Sequence, residues 1–196
     1  TASPFFYASN EVVLDAKAML IHEVALDRNG SKSPLKYEYK NDQITINLDK
    51  TYAKNQDYTL YIKYTARPNE VKQKGSAAIN DAKGLYFINP RGTESDKPTQ
   101  IWTQGETESS SCWFPTIDKP NQKTTQEIYM TVPDKFVTLS NGLLKSSQKF
   151  LVAQSHFLRL VTIFVVLVFE SNLCFGNLED TMRGNRYFVG VSSQIG

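Results

Sequence analysis

The chain has 196 residues, 40% hydrophobic and 21% charged, which suits one soluble globular domain with a buried core. A net charge of +2, from 22 basic and 20 acidic residues, offers no basic field for nucleic acid, which is not expected as a partner. The two cysteines, Cys112 and Cys174, sit in no CxxC pair, which excludes a disulfide framework and a cysteine zinc motif.

The N-terminal stretch Thr1 to Tyr7 has no basic region followed by an apolar run, so a signal peptide is absent or already removed. The sequence does not fix the compartment. Val12 to Leu26 predicts strands around a polar break at Asp15 to Lys17. Asp27-Arg28-Asn29-Gly30 predicts a hairpin, because Asn-Gly accepts the positive φ of a type I′ turn. Asn29-Gly30-Ser31 also fits a glycosylation sequon, but the turn alone accounts for it.

Ile44, Ile46 and Leu48 alternate with Thr45 and Asn47, the period of a half-buried strand. Tyr58, Leu60, Ile62 and Tyr64 alternate in the same way, and Pro68 closes that run. Lys72, Lys74 and Lys83 belong to a solvated loop. Leu85 to Ile88 predicts a short strand, and Arg91 to Pro98 a polar loop. Gln100 to Thr103 re-enters a strand that delivers Gln104 and Glu106. Glu127 to Val132 places Ile128, Met130 and Val132 on one face, and Val137 to Ser140 predicts a further strand before the Asn141-Gly142 turn.

No segment keeps a long helical period, and no internal repeat is present. The 10 Tyr and 11 Phe favour strands. Short strands at roughly 8–12 residue spacing predict an all-β fold, an open sandwich or pair of sheets. After Lys145 the composition changes, and Leu151 to Phe169 becomes dense in Leu, Val, Ile and Phe. Its apolar run, bracketed by Arg159 and Glu170, falls short of the roughly 20 residues of a membrane helix. No membrane span is expected; the β-branched content predicts a buried strand, aggregation-prone if exposed.

The densest motif is Thr103-Gln104-Gly105-Glu106 followed, without a gap to place, by Phe114-Pro115-Thr116-Ile117-Asp118-Lys119-Pro120. In that order it resembles the zinc aminopeptidases of the aminopeptidase N and leukotriene hydrolase family. Leu14-Asp15-Ala16-Lys17, Gly84-Leu85-Tyr86-Phe87, Val132-Pro133 and Leu139-Ser140-Asn141 extend the likeness over about Val12 to Leu144. The resemblance implies the N-terminal β domain of such an enzyme, open or saddle-shaped, lacking its first strands and incomplete at both ends. It spans 1–144; residues 145–196 form a divergent segment that a frame shift, a splice boundary or a gene-model error would explain.

The resemblance further implies that Glu106 is the carboxylate that receives a peptide's free amino end. Gln104 would line the first side-chain pocket, and Gly105 would leave room beside them. Phe114, Pro115, Asp118 and Pro120 are structural in this reading, since proline fixes φ and Asp bonds local amides; for Trp113, packing on the core is favoured over contact with the catalytic domain. Two features depart from the family pattern: Ser109-Ser110-Ser111-Cys112 stands where basic residues are common, and Lys119 where an acidic one is.

The family's zinc motif is HExxH plus a later Glu. His22-Glu23 begins it, but Leu26 stands where the second His would be, and His156 is followed by no Glu. No cofactor is therefore expected in this chain, the zinc belonging to the missing catalytic domain of the same polypeptide. That domain and a peptide N-terminus are the expected partners. A non-catalytic β-sandwich binding a protein or a carbohydrate, and a truncated product that does not fold, are the competing readings.

Overall fold

The computed structural model describes residues 1–72, 82–106, 108–122, 124–133, 135–152, 156–166, 172–175 and 189–195. The chain is all-β: thirteen strands, with helical turns only at Pro68–Glu70 and Ser110–Cys112 among the described residues. It divides into two compact units, one of Thr1–Gly84, Glu106–Thr124 and Gln194–Gly196, the other of Leu85–Gly105 and Thr125–Ser193.

The first unit contains β1 (Ser9–Asp15), β2 (Met19–Arg28), β3 (Ser31–Pro34), β4 (Tyr37–Lys40), β5 (Gln43–Tyr52) and β6 (Thr59–Ala66). They form two antiparallel sheets, ordered β1-β5-β4 and β3-β2-β6. The expected hairpin joins β2 to β3. Asn29 and Gly30 take φ of 53° and 89°, and the Gly30 amide donates to Asp27 Oδ1 at 2.7 Å. A second turn of the same kind joins β4 to β5, where Asn41 and Asp42 both have positive φ, 53° and 58°. Short polar side chains tolerate that region best, which places the turns where they are.

The alternation of β5 places Ile44, Ile46 and Leu48 inward, with Ile44 and Ile46 fully buried. They pack with Leu14, Ala16, Met19 and Val24, and with Leu26, Tyr52 and Tyr58, to make the core of this unit. Each fully buried aliphatic side chain contributes about 1.5–3 kcal/mol. The break between β1 and β2 is tied by Tyr39, whose hydroxyl donates to Ala16 O at 2.7 Å and accepts from the Met19 amide at 3.0 Å.

The second unit holds β7 (Leu85–Ile88), β8 (Gln100–Gln104), β9 (Thr124–Pro133), β10 (Leu143–Val152), β11 (His156–Val166), β12 (Asn172–Phe175) and β13 (Val189–Ile195). β9 begins, and β13 ends, with residues assigned to the first unit. The sheets are ordered β10-β11-β9-β13 and β12-β8-β7. Ile128, Met130 and Val132 of β9 face inward, as their spacing requires. The polar loop after β7 is organised by buried Asn89, whose amide donates to the carbonyls of Glu94 and Lys97, both at 2.8 Å.

One expected strand is absent. Val137 to Ser140 carries only an isolated bridge, at Leu139. Proline ends β9, the Phe136 amide turns back onto Pro133 O at 3.0 Å, and β10 begins only at Leu143 to pair with β11. Val137 and Leu139 are consequently 70% and 62% exposed, although their alternation is that of a strand. The apolar run of the C-terminal quarter lies in β11, flanked by β10 and β9. Residues 153–155 and 167–169 of that run lie outside the described residues, as does Lys74 of the expected solvated loop. β10 runs through Lys145, where the composition changes.

Ile46→Ala is expected to remove about 2–5 kcal/mol, the range for emptying a buried aliphatic site. A urea denaturation should show it as a lower midpoint; an unchanged midpoint would place Ile46 outside the core.

Candidate functional site

Among its described residues the segment from Glu106 to Asp118 includes no strand, so its backbone groups need partners from elsewhere. They find them at the short break between β1 and β2. The Asp15 amide donates to Thr116 O at 2.7 Å and the Thr116 amide to Asp15 O at 3.0 Å. The Asp15 carboxylate accepts the Asp118 amide at 3.1 Å. The Lys17 amide donates to Ser111 O at 2.8 Å. Asp118 in turn receives the Ser111 amide on Oδ2 at 2.9 Å, which closes the segment on itself.

Held in this way, the turn at Ser110–Cys112 and the residues after it are interior. Ser111, Cys112, Trp113 and Phe114 are all buried, the two rings meeting edge-on with centroids 4.5 Å apart. Trp113 is thus a core residue and Asp118 a backbone brace, and Ile117 packs against the same core as Ile44. Burial pushes the Cys112 thiol up to about 11, with the Lys17 charge opposing and the Asp118 and Asp42 charges adding to the rise. A neutral, enclosed thiol is a poor nucleophile and a poor metal ligand. The Ser109 and Ser111 hydroxyls are buried without a hydrogen-bond partner among the described residues, a cost the backbone bonds must offset.

The same turn requires the glycine ahead of β7. Gly84 has a φ of +68°, and a Cβ there would lie 2.0 Å from Ser109 O and 2.9 Å from Cys112 Cβ. Only a residue without a side chain lets the backbone approach the turn this closely.

The three residues expected to bind substrate fall where the chain passes from the second unit into the first. Gln104 is the last residue of β8, half-buried and paired with Asn172 of β12. Trp102, two residues earlier on that strand, stacks on Tyr86 of β7 at 4.3 Å and 12°. Gly105 ends the second unit's segment and Glu106 opens the first unit's. Glu106 is exposed, and its carboxylate has no hydrogen bond or ion pair among the described residues.

Two further groups belong to this segment and were not legible as site residues. Glu108 has a φ of 58° and accepts Lys17 Nζ on its carbonyl at 2.5 Å. Its carboxylate takes Lys119 Nζ on both oxygens at 3.0 Å. The hydrogen bond to Glu108, reinforced by its charge, holds the Lys119 ammonium above its usual range. Part of a signal for this pair existed: Lys119 departs in charge from the family pattern, and an acid stands in the run after Glu106.

No group of three or more His, Cys, Asp or Glu that could hold a metal occurs among the described residues. His22 is exposed on β2 and hydrogen-bonds through Nε2 with Thr65 Oγ1 at 2.8 Å. No helix among the described residues is long and apolar enough to cross a membrane.

The fold is similar to part of solved M1 zinc metallopeptidases. An M1 zinc metallopeptidase from Deinococcus radiodurans aligns with a TM-score of 0.65 and 15% identity, over 87% of this chain and 35% of that one. A mutant form from the same organism, bound to a Tyr-Ser-Ala substrate, aligns with a TM-score of 0.66 and 15% identity, over 96% of this chain and 40% of that one. A two-domain mutant form bound to L-tryptophan gives a TM-score of 0.65 at 15% identity, over 87% of this chain and 35% of that one. The chain therefore spans little more than a third of the length of these structures. A sequence search of curated proteins found no match.

The model for the Peptidase M1 N-terminal domain matches residues 4–158, and the chain belongs to that family. This domain does not carry the catalytic zinc site of M1 zinc peptidases, which lies in their separate catalytic domain.

Gly84→Ala is expected to cost about 2–5 kcal/mol, combining left-handed strain with steric overlap. Thermal unfolding checks it: a melting temperature equal to that of the parent would contradict the close approach to Ser109.

Proposed function

We propose that this chain is the substrate-anchoring N-terminal domain of a zinc aminopeptidase that removes N-terminal residues from peptides. An aminopeptidase must distinguish a free α-ammonium from an internal amide and set the first peptide bond at a fixed distance from it. A carboxylate does both through a charge-assisted hydrogen bond. Glu106 is that carboxylate in this reading, Gln104 borders the pocket for the first side chain, and Gly105 keeps the space between them open.

The observation that carries the proposal is the family match over residues 4–158 together with Thr103-Gln104-Gly105-Glu106 in a chain whose Glu106 carboxylate is exposed and unengaged among the described residues. An anchor for a ligand cannot already be neutralised by a protein cation, and neighbouring Glu108 is. Hydrolysis belongs to zinc in the catalytic domain of the same polypeptide, which this domain would meet as its partner. The chain's own residues bind and orient. The Tyr-Ser-Ala substrate held by the Deinococcus radiodurans enzyme supports a peptide as ligand class.

In the intact polypeptide Glu106→Gln should raise KM for an unblocked peptide about ten- to a hundredfold, the worth of one hydrogen bond to a charged group. Zinc content should be unchanged. Unaltered kinetics would remove Glu106 from the site.

We also propose that residues 145–196 are a divergent segment. The support is the abrupt change of composition at Lys145 inside one domain. Transcript reads across Lys145 should reveal a junction or frame change there, and an HExxH with a later Glu downstream. Continuous reads in the present frame would contradict the division.

A further inference from the structure

We propose that Asn29 is a site of spontaneous covalent modification, passing through a cyclic imide to aspartate and isoaspartate, and that the Asp27 carboxylate sets the rate by holding the Gly30 amide. The proposal does not depend on the anchor reading.

Asn29 and Gly30 form the tip between β2 and β3, and Asn29, Gly30 and Ser31 are all exposed. Both tip residues have positive φ, 53° and 89°. No atom lies within 4 Å of the position a Gly30 Cβ would take, so the backbone there is uncrowded. β3 has four residues, all exposed, and pairs only with β2 at the edge of its sheet. Loop tips and short edge strands open at low cost. Glycine follows asparagine at Asn29 and Asn141 alone. At Asn29 the structure shows what holds the glycine nitrogen.

The chemistry needs a carboxamide, the main-chain nitrogen of the next residue, and no side chain on that residue to block ring closure. The Gly30 nitrogen gives its proton to solvent base and attacks Asn29 Cγ. The N–Cγ bond forms as the Cγ–Nδ2 bond breaks, and Nδ2 takes up a proton from solvent and leaves as ammonia. Water then adds to either carbonyl of the imide, and the ring C–N bond at that carbon breaks. One opening leaves aspartate at position 29. The other routes the main chain through the side chain as isoaspartate. The sum is one water consumed and one ammonia released, with no oxidation or reduction.

The Gly30 amide donates to Asp27 Oδ1 at 2.7 Å. A proton held by a carboxylate is withheld from solvent base, and the bond fixes the nitrogen within the turn. Ring closure therefore proceeds from the fraction of molecules in which this bond is open. The bond is exposed, so it slows the reaction without preventing it.

The products alter the hairpin. Either one adds a carboxylate two positions from Asp27. Isoaspartate also adds a methylene to the main chain, and the tip then no longer fits the pairing of Arg28 with Ser31 and of Asp27 with Lys32. Lys32 Nζ, 3.2 Å from the centroid of the Tyr61 ring, is carried by that strand.

The test is peptide mapping by mass spectrometry of the folded intact polypeptide during prolonged incubation at neutral pH. Asp27→Ala and a synthetic peptide of the sequence Leu26 to Pro34 are followed beside it. The fragment containing Asn29 is expected to gain about one mass unit, the difference between an amide and an acid, and to split into two isomers with the isoaspartyl form in excess. Conversion should be slower than in the synthetic peptide. Asp27→Ala should convert about two- to tenfold faster than the parent, the worth of one ordinary hydrogen bond. Asn29 left intact in parent and variant after the synthetic peptide has converted would overturn the site. An Asp27→Ala rate equal to or below that of the parent would overturn the role of Asp27.

Discussion

The motif segment depends on one short relay through two carboxylates: Asp15 receives the amide of Asp118, and Asp118 receives the amide of Ser111. A segment that leaves the sheets must still satisfy its backbone groups, or their burial becomes costly. Hydrogen bonds to charged acceptors contribute about 1.5–3 kcal/mol each, whereas exposed ion pairs contribute about 0.2–1 kcal/mol. The relay therefore outweighs the surface pairs Arg28–Asp49, Arg67–Glu70 and Lys97–Glu94, whose side chains are all substantially solvated.

The relay produces a rigid floor under a solvated edge. With Ser111 fixed, Cys112, Trp113 and Phe114 point inward, and Gly84 must be a glycine because the turn lies against its backbone. The edge that remains outside, Glu106 and the Glu108–Lys119 pair, is polar and exposed. This division of labour suits recognition. The buried part supplies geometry, and the Glu106 carboxylate is exposed. The Tyr39 hydroxyl braces the same β1–β2 break by bonding Ala16 and Met19.

Local signals were legible wherever one side chain decides the outcome. Asn29-Gly30 set its hairpin, the alternation of Ile44, Ile46 and Leu48 set the buried face of β5, and Ile128, Met130 and Val132 did the same for β9. Val137 and Leu139 show the limit. Their period is that of a strand, but a strand exists only where a neighbour pairs with it, and β10 pairs with β11 instead. The Asn41-Asp42 turn is harder to read because Asp is a weaker turn signal there than Gly. In the site, Asp118 could be read as a backbone brace from its proline neighbours. The partners Asp15 and Lys17 could not, since they lie far away in the chain and only the fold brings them close. The Glu108–Lys119 pair needs the same long-range information.

That this edge reads a free amino terminus through Glu106 is tested most directly by a crystal structure of the intact polypeptide with a bound unblocked peptide. The peptide's terminal nitrogen is expected at hydrogen-bonding distance from the Glu106 carboxylate, about 2.7–3.2 Å, with Glu108 still gripped by Lys119. A peptide whose amino end contacts other groups, with Glu106 turned to solvent, would contradict that role.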